Sequence, residues 1–225
     1  MTNSSETKNK NHVRSARTRE KVLEATIACI YEQGLQNTST VDITKRAGIS
    51  RGAMLHHYPS KQELLYAAYE TLLTREAEKL RVAAADYSNG KITVDSFIDQ
   101  LWGRFSIESF SITLDYFSAA RTDDNLKTKV QQARKHYDDA LGEIWHQFFS
   151  DSGLSEAELS NLLKLTISLF RGMGLQLLIW SDRDSMNEVV AEWKIHIKAR
   201  LATPQRLVEK GDSDGLLEGT AEHSA

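Results

Sequence analysis

Between Thr40 and Lys61 the chain reads TVDITKRAGISRGAMLHHYPSK, and helix signals start and stop repeatedly within it. Thr40 can cap a short helix running to Ala47, Gly48 turns the chain, and Ser50 can cap a second helix from Arg51 to about Tyr58. Pro59 stops that helix, and Ser60 with Glu63 has the pattern of a capping box that opens another. Ile43, Ala47, Ile49 and Met54 are apolar where two short helices crossing steeply must touch, and Ala47 is small at the crossing. Such a pair is either an ordinary helical hairpin or a helix-turn-helix whose second helix enters a DNA major groove.

Upstream, Val22, Leu23, Thr26, Ile27, Cys29 and Ile30 fall on one stripe of a helix expected from about Ser15 to Gln33, ended by Gly34. Residues 1–17, polar and basic, are expected to be a flexible arm, and 18–66 a compact helical domain. Downstream, the helix opened by Ser60 can continue to about Asp86, too long for the small unit alone, so it should lead into a second domain over 67–202. Further helices are predicted at about Val94 to Trp102, Phe105 to Ala120, Asp123 to Phe149, Glu156 to Trp180 and Met186 to Leu201. Ser155/Glu158 and Ser185/Glu188 have capping-box spacing for the last two. With no alternating strand pattern, the fold class is all-α, and 203–225 reads as a flexible tail.

The 225 residues are 40% hydrophobic and 26% charged, which suits a soluble globular protein. Cys29 alone excludes an intrachain disulfide or a Cys-rich zinc cluster, and the basic N-terminus lacks the apolar run of a signal peptide, so a cytoplasmic protein is expected. The net charge of -3 conceals an asymmetry. Residues 1–66 carry ten Lys and Arg against six Asp and Glu, so the acidic excess lies entirely beyond them and the N-terminal part suits an anionic partner. Arg51 and Lys61 each stand in a first helical turn, where the helix dipole disfavours a cation by a few tenths of a kcal/mol unless an anion such as phosphate lies there too.

Four segments together resemble the DNA-binding domain of the TetR/AcrR transcriptional regulators. They are Arg19-x-x-Val22-Leu23-x-Ala25, Gly34-Leu35 with Thr38-Ser39-Thr40-Val41-x-Ile43, Ala47 to Met54, and His57-Tyr58-Pro59-Ser60-Lys61-Gln62-Glu63-Leu64-Leu65. The resemblance departs at Leu55, usually Tyr, at His56, a variable position, and at Tyr58, commonly Phe. By position it makes Thr40, Tyr58 and Lys61 phosphate contacts, with Ser50 beside them, and makes Arg51, Gly52, Ala53, Leu55, His56 and His57 the base-reading or close-approach surface. The chemistry agrees: Arg51 suits guanine O6/N7, Gly52 and Ala53 let the helix sit deep, and Leu55 can meet a thymine methyl.

For the second domain the resemblance implies an effector pocket enclosed by helices and a homodimer made by the last two helices. The aromatic cluster supplies pocket candidates Trp102, Phe105, Phe110, Tyr116, Phe117 and Tyr137, with packing in the domain's own core as the other reading of most of them. Arg171, inside the most apolar helix, needs a carboxylate such as Asp115 or an anionic ligand. Interface candidates are Leu163, Phe170, Leu178, Val189, Trp193 and Ile197. Lys164 and Arg171 argue against a membrane span there. The implied function is a repressor that binds a palindromic operator in double-stranded DNA and is released by a small apolar or aromatic molecule, with no cofactor or metal. A helical protein-interaction module with a basic end is the alternative, and an enzyme a further one. The sequence lacks G-x-S-x-G, H-E-x-x-H and C-x-x-C, and Gly172-Met173-Gly174 lies in an apolar helix rather than a phosphate loop.

Overall fold

The computed structural model describes residues 3–105 and 108–202, with side chains from residue 12 onward. Among the described residues there are nine α-helices and no strand: α1 (Asn3–Gln33), α2 (Thr40–Ala47), α3 (Arg51–His57), α4 (Lys61–Ser88), α5 (Val94–Gly103), α6 (Glu108–Ala120), α7 (Asp124–Phe148), α8 (Glu156–Trp180) and α9 (Arg183–Ala202). One 3₁₀ turn, Ser150–Ser152, links α7 to α8.

Local chemistry sets the helix ends. Ser39 caps α2, one residue before the expected Thr40, because its hydroxyl accepts the Asp42 N–H. Asp123 caps α7, and the Ser155/Glu158 box opens α8 with both of its reciprocal bonds. At α9 the expected Ser185/Glu188 start gives way to Asp182, whose carboxylate accepts the Ser185 N–H at 3.2 Å, so the helix begins at Arg183. The helix α1 begins at Asn3, twelve residues before the expected start, so most of the expected flexible arm is helical. Phe105, the expected start of α6, lies in the turn after α5, and the described part of α6 runs from Glu108 to Ala120. The expected tail, 203–225, lies outside the described residues.

Two apolar cores form. The smaller joins Val22, Ala25 and Cys29 of α1, Ile43 of α2, Met54 of α3, Tyr58 and Leu64. The larger fills the space between α4, α5, α6, α7, α8 and α9 and extends to Ile27, Ile30 and Leu35 at the end of α1. Both α1 and α4 therefore contribute to both cores, and the boundary expected at residue 66 is a change of neighbours along one helix rather than a linker. A 28-residue helix is about 42 Å long, which lets α4 run from the small core through the large one.

Candidate nucleic-acid interface and the cleft behind it

The crossing of α2 and α3 is built from short-range features. Gly48 adopts a φ of 66°, in the left-handed region, and its N–H and that of Ile49 return to Lys45 and Thr44 carbonyls, which ends α2 in a single residue. Ser50 then caps α3 by accepting the Ala53 N–H at 3.1 Å, and Ser60 caps α4 by accepting the Glu63 N–H at 3.1 Å. The Arg46 guanidinium bonds Glu32 of α1 at 2.6 Å, pinning α2 from outside.

With Ile43 and Met54 fully buried, the other side of α3 is left outward. Ser50, Arg51, Gly52, Leu55 and His56 are exposed there, and Ala53 and His57 are half-buried. The rings of His56 and His57 meet edge to face at 5.3 Å. Partial burial, then the charges of His56 and Arg19, push the His57 pKa below its ordinary value. Thr40 and Lys61, at the starts of α2 and α4, are half-buried. Tyr58 differs: it is 5% exposed and belongs to the small core, with the Arg19 guanidinium 5.9 Å over its ring. Sequence reasoning passed over Val41, 67% exposed on α2, and Lys45 beside it. An apolar residue opening a short helix reads as core until the crossing angle turns it outward.

Behind this domain a cleft of about 40 Å³ opens between α4, α6, α7 and α8. Phe105, Phe110, Phe117, Tyr137 and Arg171 line it, together with Ser109 and Arg134, which sequence reasoning did not single out. Arg134 had the look of a surface helix pair with Asp138 four residues on.

Two pocket candidates lie elsewhere. The Trp102 indole N–H donates to Asn187 Oδ1 at 3.1 Å, tying α5 to α9. Tyr116 is fully buried, stacks on Tyr69, and donates its hydroxyl to the Leu65 carbonyl at 2.6 Å. Asp115 is not the partner of Arg171. It accepts the Leu35 N–H at 2.9 Å, just past the C-terminus of α1, while Arg171 lies 4.0 Å from Asp138. So α6 lines the cleft and also holds both α1 and α4 by polar bonds.

Of the interface candidates, Phe170 and Ile197 are fully buried within the subunit and face its own core. Leu163 and Trp193 are half-buried, the latter donating its indole N–H to Thr166 Oγ1 at 3.1 Å. Leu178 and Val189 are exposed, and so are Leu165, Leu175, Ile179 and Trp180 of α8 and Ile195 of α9.

Residues 22–68 match the family described as bacterial regulatory proteins, tetR family. Among curated relatives, the HTH-type transcriptional regulator CymR of Pseudomonas putida is 28% identical over 176 residues, spanning 78% of this chain and 87% of the relative. Among solved structures, the reduced form of E. coli NemR superposes with a TM-score of 0.63 at 17% identity, covering 84% of this chain and all of the other. The transcriptional regulator FadR of Bacillus subtilis, solved in complex with stearoyl-CoA, superposes with a TM-score of 0.59 at 14% identity over 81% of this chain and 97% of the other. The matched span covers both helices of the crossing and the caps around them, so residues 22–68 form a helix-turn-helix, DNA-binding domain of the tetR family of bacterial transcriptional regulators.

Proposed function

We propose that the chain is a homodimeric repressor that reads a palindromic operator with the outward side of α3 and is released from it by a small apolar or aromatic effector. The carrying observation is the position of α6. Its Ser109, Phe110, Thr113 and Phe117 border the cleft, while Asp115 and Tyr116 bond Leu35 and Leu65 beside the small core. A ligand that displaces α6 therefore pulls on α1 and α4 together, and with them on α3. In a dimer the two copies of α3 must match two half-sites about 34–36 Å apart, so a tilt of α4 is enough to lose one contact. A fold neighbour seen with stearoyl-CoA supports a ligand role for such a helical domain.

The dimer reading rests on α8. It is long and apolar enough to cross a membrane by length and composition alone. Its other sides pack on α7 and α9, and Lys164 and Arg171 interrupt it. A second copy of the chain, meeting the exposed row from Leu165 to Ile179 across the small residues Ser168 and Gly172, covers that surface better than lipid does. A cytoplasmic location follows from the DNA partner.

The test uses DNA selected by the purified protein from a random pool. Sedimentation should give a dimer at micromolar concentration, and a monomer there refutes the interface. Tyr116→Phe and Asp115→Ala should keep operator affinity in the absence of ligand and weaken release by ligand. Unchanged release in both variants removes α6 from the coupling.

A further inference from the structure

The charges around the cleft do not balance. Glu76 of α4 is buried and takes both Arg104 and, at 2.8 Å, Lys79. Asp138 of α7 takes Arg134 and lies 4.0 Å from Arg171. Lys79 is turned to solvent, which screens its charge. Arg134, whose guanidinium also sits 4.8 Å over the Tyr137 ring, and Arg171 thus share one carboxylate, and that carboxylate is itself half in water. About one positive charge at the cleft is left without a counter-ion. Burial, and next the neighbouring Arg134, hold the Arg171 pKa below the ordinary guanidinium value.

Two polar atoms at the same place are also unpaired. Ser109 Oγ and Arg104 Nε are buried with no hydrogen-bond partner among the described residues, and Ser109 is only 8% exposed. Buried polar groups in folded proteins are paired in the large majority of cases, so two orphans on one cleft wall indicate an acceptor supplied from outside. The remaining wall is apolar, with Phe105, Phe110, Phe117 and Ile167. At Leu141, Ile167 and Arg171 the cleft meets an outer groove of about 360 Å³ between α7 and α8, rimmed by Lys164 and His146. That volume falls within the range of ~300–1,000 Å³ usual for small-molecule sites.

We propose that this site takes a small amphipathic monoanion, a monocarboxylate with an aromatic or aliphatic body, its carboxylate held by Arg171 and Arg134 and its body among Phe105, Phe110, Phe117 and Ile167. The Ser109 hydroxyl supplies a further donor. A dianion is disfavoured, because about one charge is uncompensated and the walls would strip the second of its water. The proposal rests on the reading that the helical domain binds an effector, and it adds the charge and chemical class. Insertion also forces movement, since the inner cleft at about 40 Å³ holds little more than water before its side chains part.

The experiment is calorimetry on the full chain with two matched acid and amide pairs, 1-naphthoate with 1-naphthamide and octanoate with octanamide. At least one acid should bind about 10- to 100-fold tighter than its amide, the worth of charge-assisted hydrogen bonds in a partly dry site. In Arg171→Met that preference should collapse while amide affinity stays put, and Ser109→Ala should reduce it in part. Thermal melts of both variants establish that they fold. An amide that binds as well as its acid, an acid preference that survives Arg171→Met, or no binding by either acid overturns the proposal. Repeating the titrations with saturating operator separates the two readings. An acid preference with identical affinity on and off DNA keeps the monoanion site and removes the effector role. Equal acid and amide affinities that both fall on DNA do the reverse.

Discussion

Replacing Gly174 with alanine places a methyl carbon 2.4 Å from the Phe105 carbonyl oxygen and 2.8 Å from Cε1 of Phe110. The phenyl ring can turn aside; the carbonyl belongs to the backbone after α5 and cannot. To bring the first contact out to 3.0 Å, α8 and the α5–α6 connection must part by roughly 0.6 Å. Overpacking of this kind costs ~1–3 kcal/mol, and the better helix propensity of alanine returns ~1 kcal/mol. Since the obstacle is backbone, the net loss should be ~1–2 kcal/mol, or ~2–8 °C in melting temperature for a domain of this size. Gly142 of α7 is the control, because nothing lies within 4 Å of a Cβ built there and its helical backbone suits alanine. Gly142→Ala should gain ~0.5–1 kcal/mol from propensity alone. The assay is thermal unfolding by circular dichroism at one fixed protein concentration, since a dimer melts at a concentration-dependent temperature. Equal melting temperatures for the two variants, or a higher one for Gly174→Ala, would refute the close approach of α8 to Phe105.

Three further outcomes are expected. Arg51→Ala should lower operator affinity and relax preference at one base pair by ~1–3 kcal/mol, while Lys61→Ala should weaken all DNA alike and reduce the salt slope; competition binding on operator and random duplexes across a salt series distinguishes them. Because His57 has its pKa held below the ordinary 6.5, it is neutral in the free protein at pH 7. A phosphate would draw a proton onto it, so operator affinity should rise as pH falls from about 8 to about 6, and His57→Gln should flatten that slope; an identical slope in the variant removes His57 from the contact. The same depressed pKa acts oppositely on folding: the unfolded chain protonates first, so His57 makes stability decline as pH drops through 6.5 and below. Glu76→Ala leaves Arg104 charged in a site where its side chain is 11% exposed, and should cost ~3–5 kcal/mol by denaturant unfolding, more than any exposed ion pair among the described residues.

What the sequence carried by itself was most of what neighbours within one helical turn set. The left-handed Gly48, the caps Ser50, Ser60 and Ser155, and the stop at Pro59 act through bonds spanning three or four residues, so the order of helices and the outward side of α3 could be read in advance. Where two local caps competed, the reading slipped by a few residues, as with Thr40 against Ser39 and Ser185 against Asp182. Apolar periodicity showed which side of a helix is buried but not what buries it. Trp102, Tyr116, Phe170 and Ile197 could each be read as core or as available for a ligand or a partner chain, and each packs within its own chain. Asp115 went to a backbone N–H eighty positions away, and Arg134, with the outline of a surface pair, turned toward the cleft beside Arg171. These placements depend on how α6, α7 and α8 cross, and crossing angles come from the fit of whole side-chain surfaces, which no window along the chain contains.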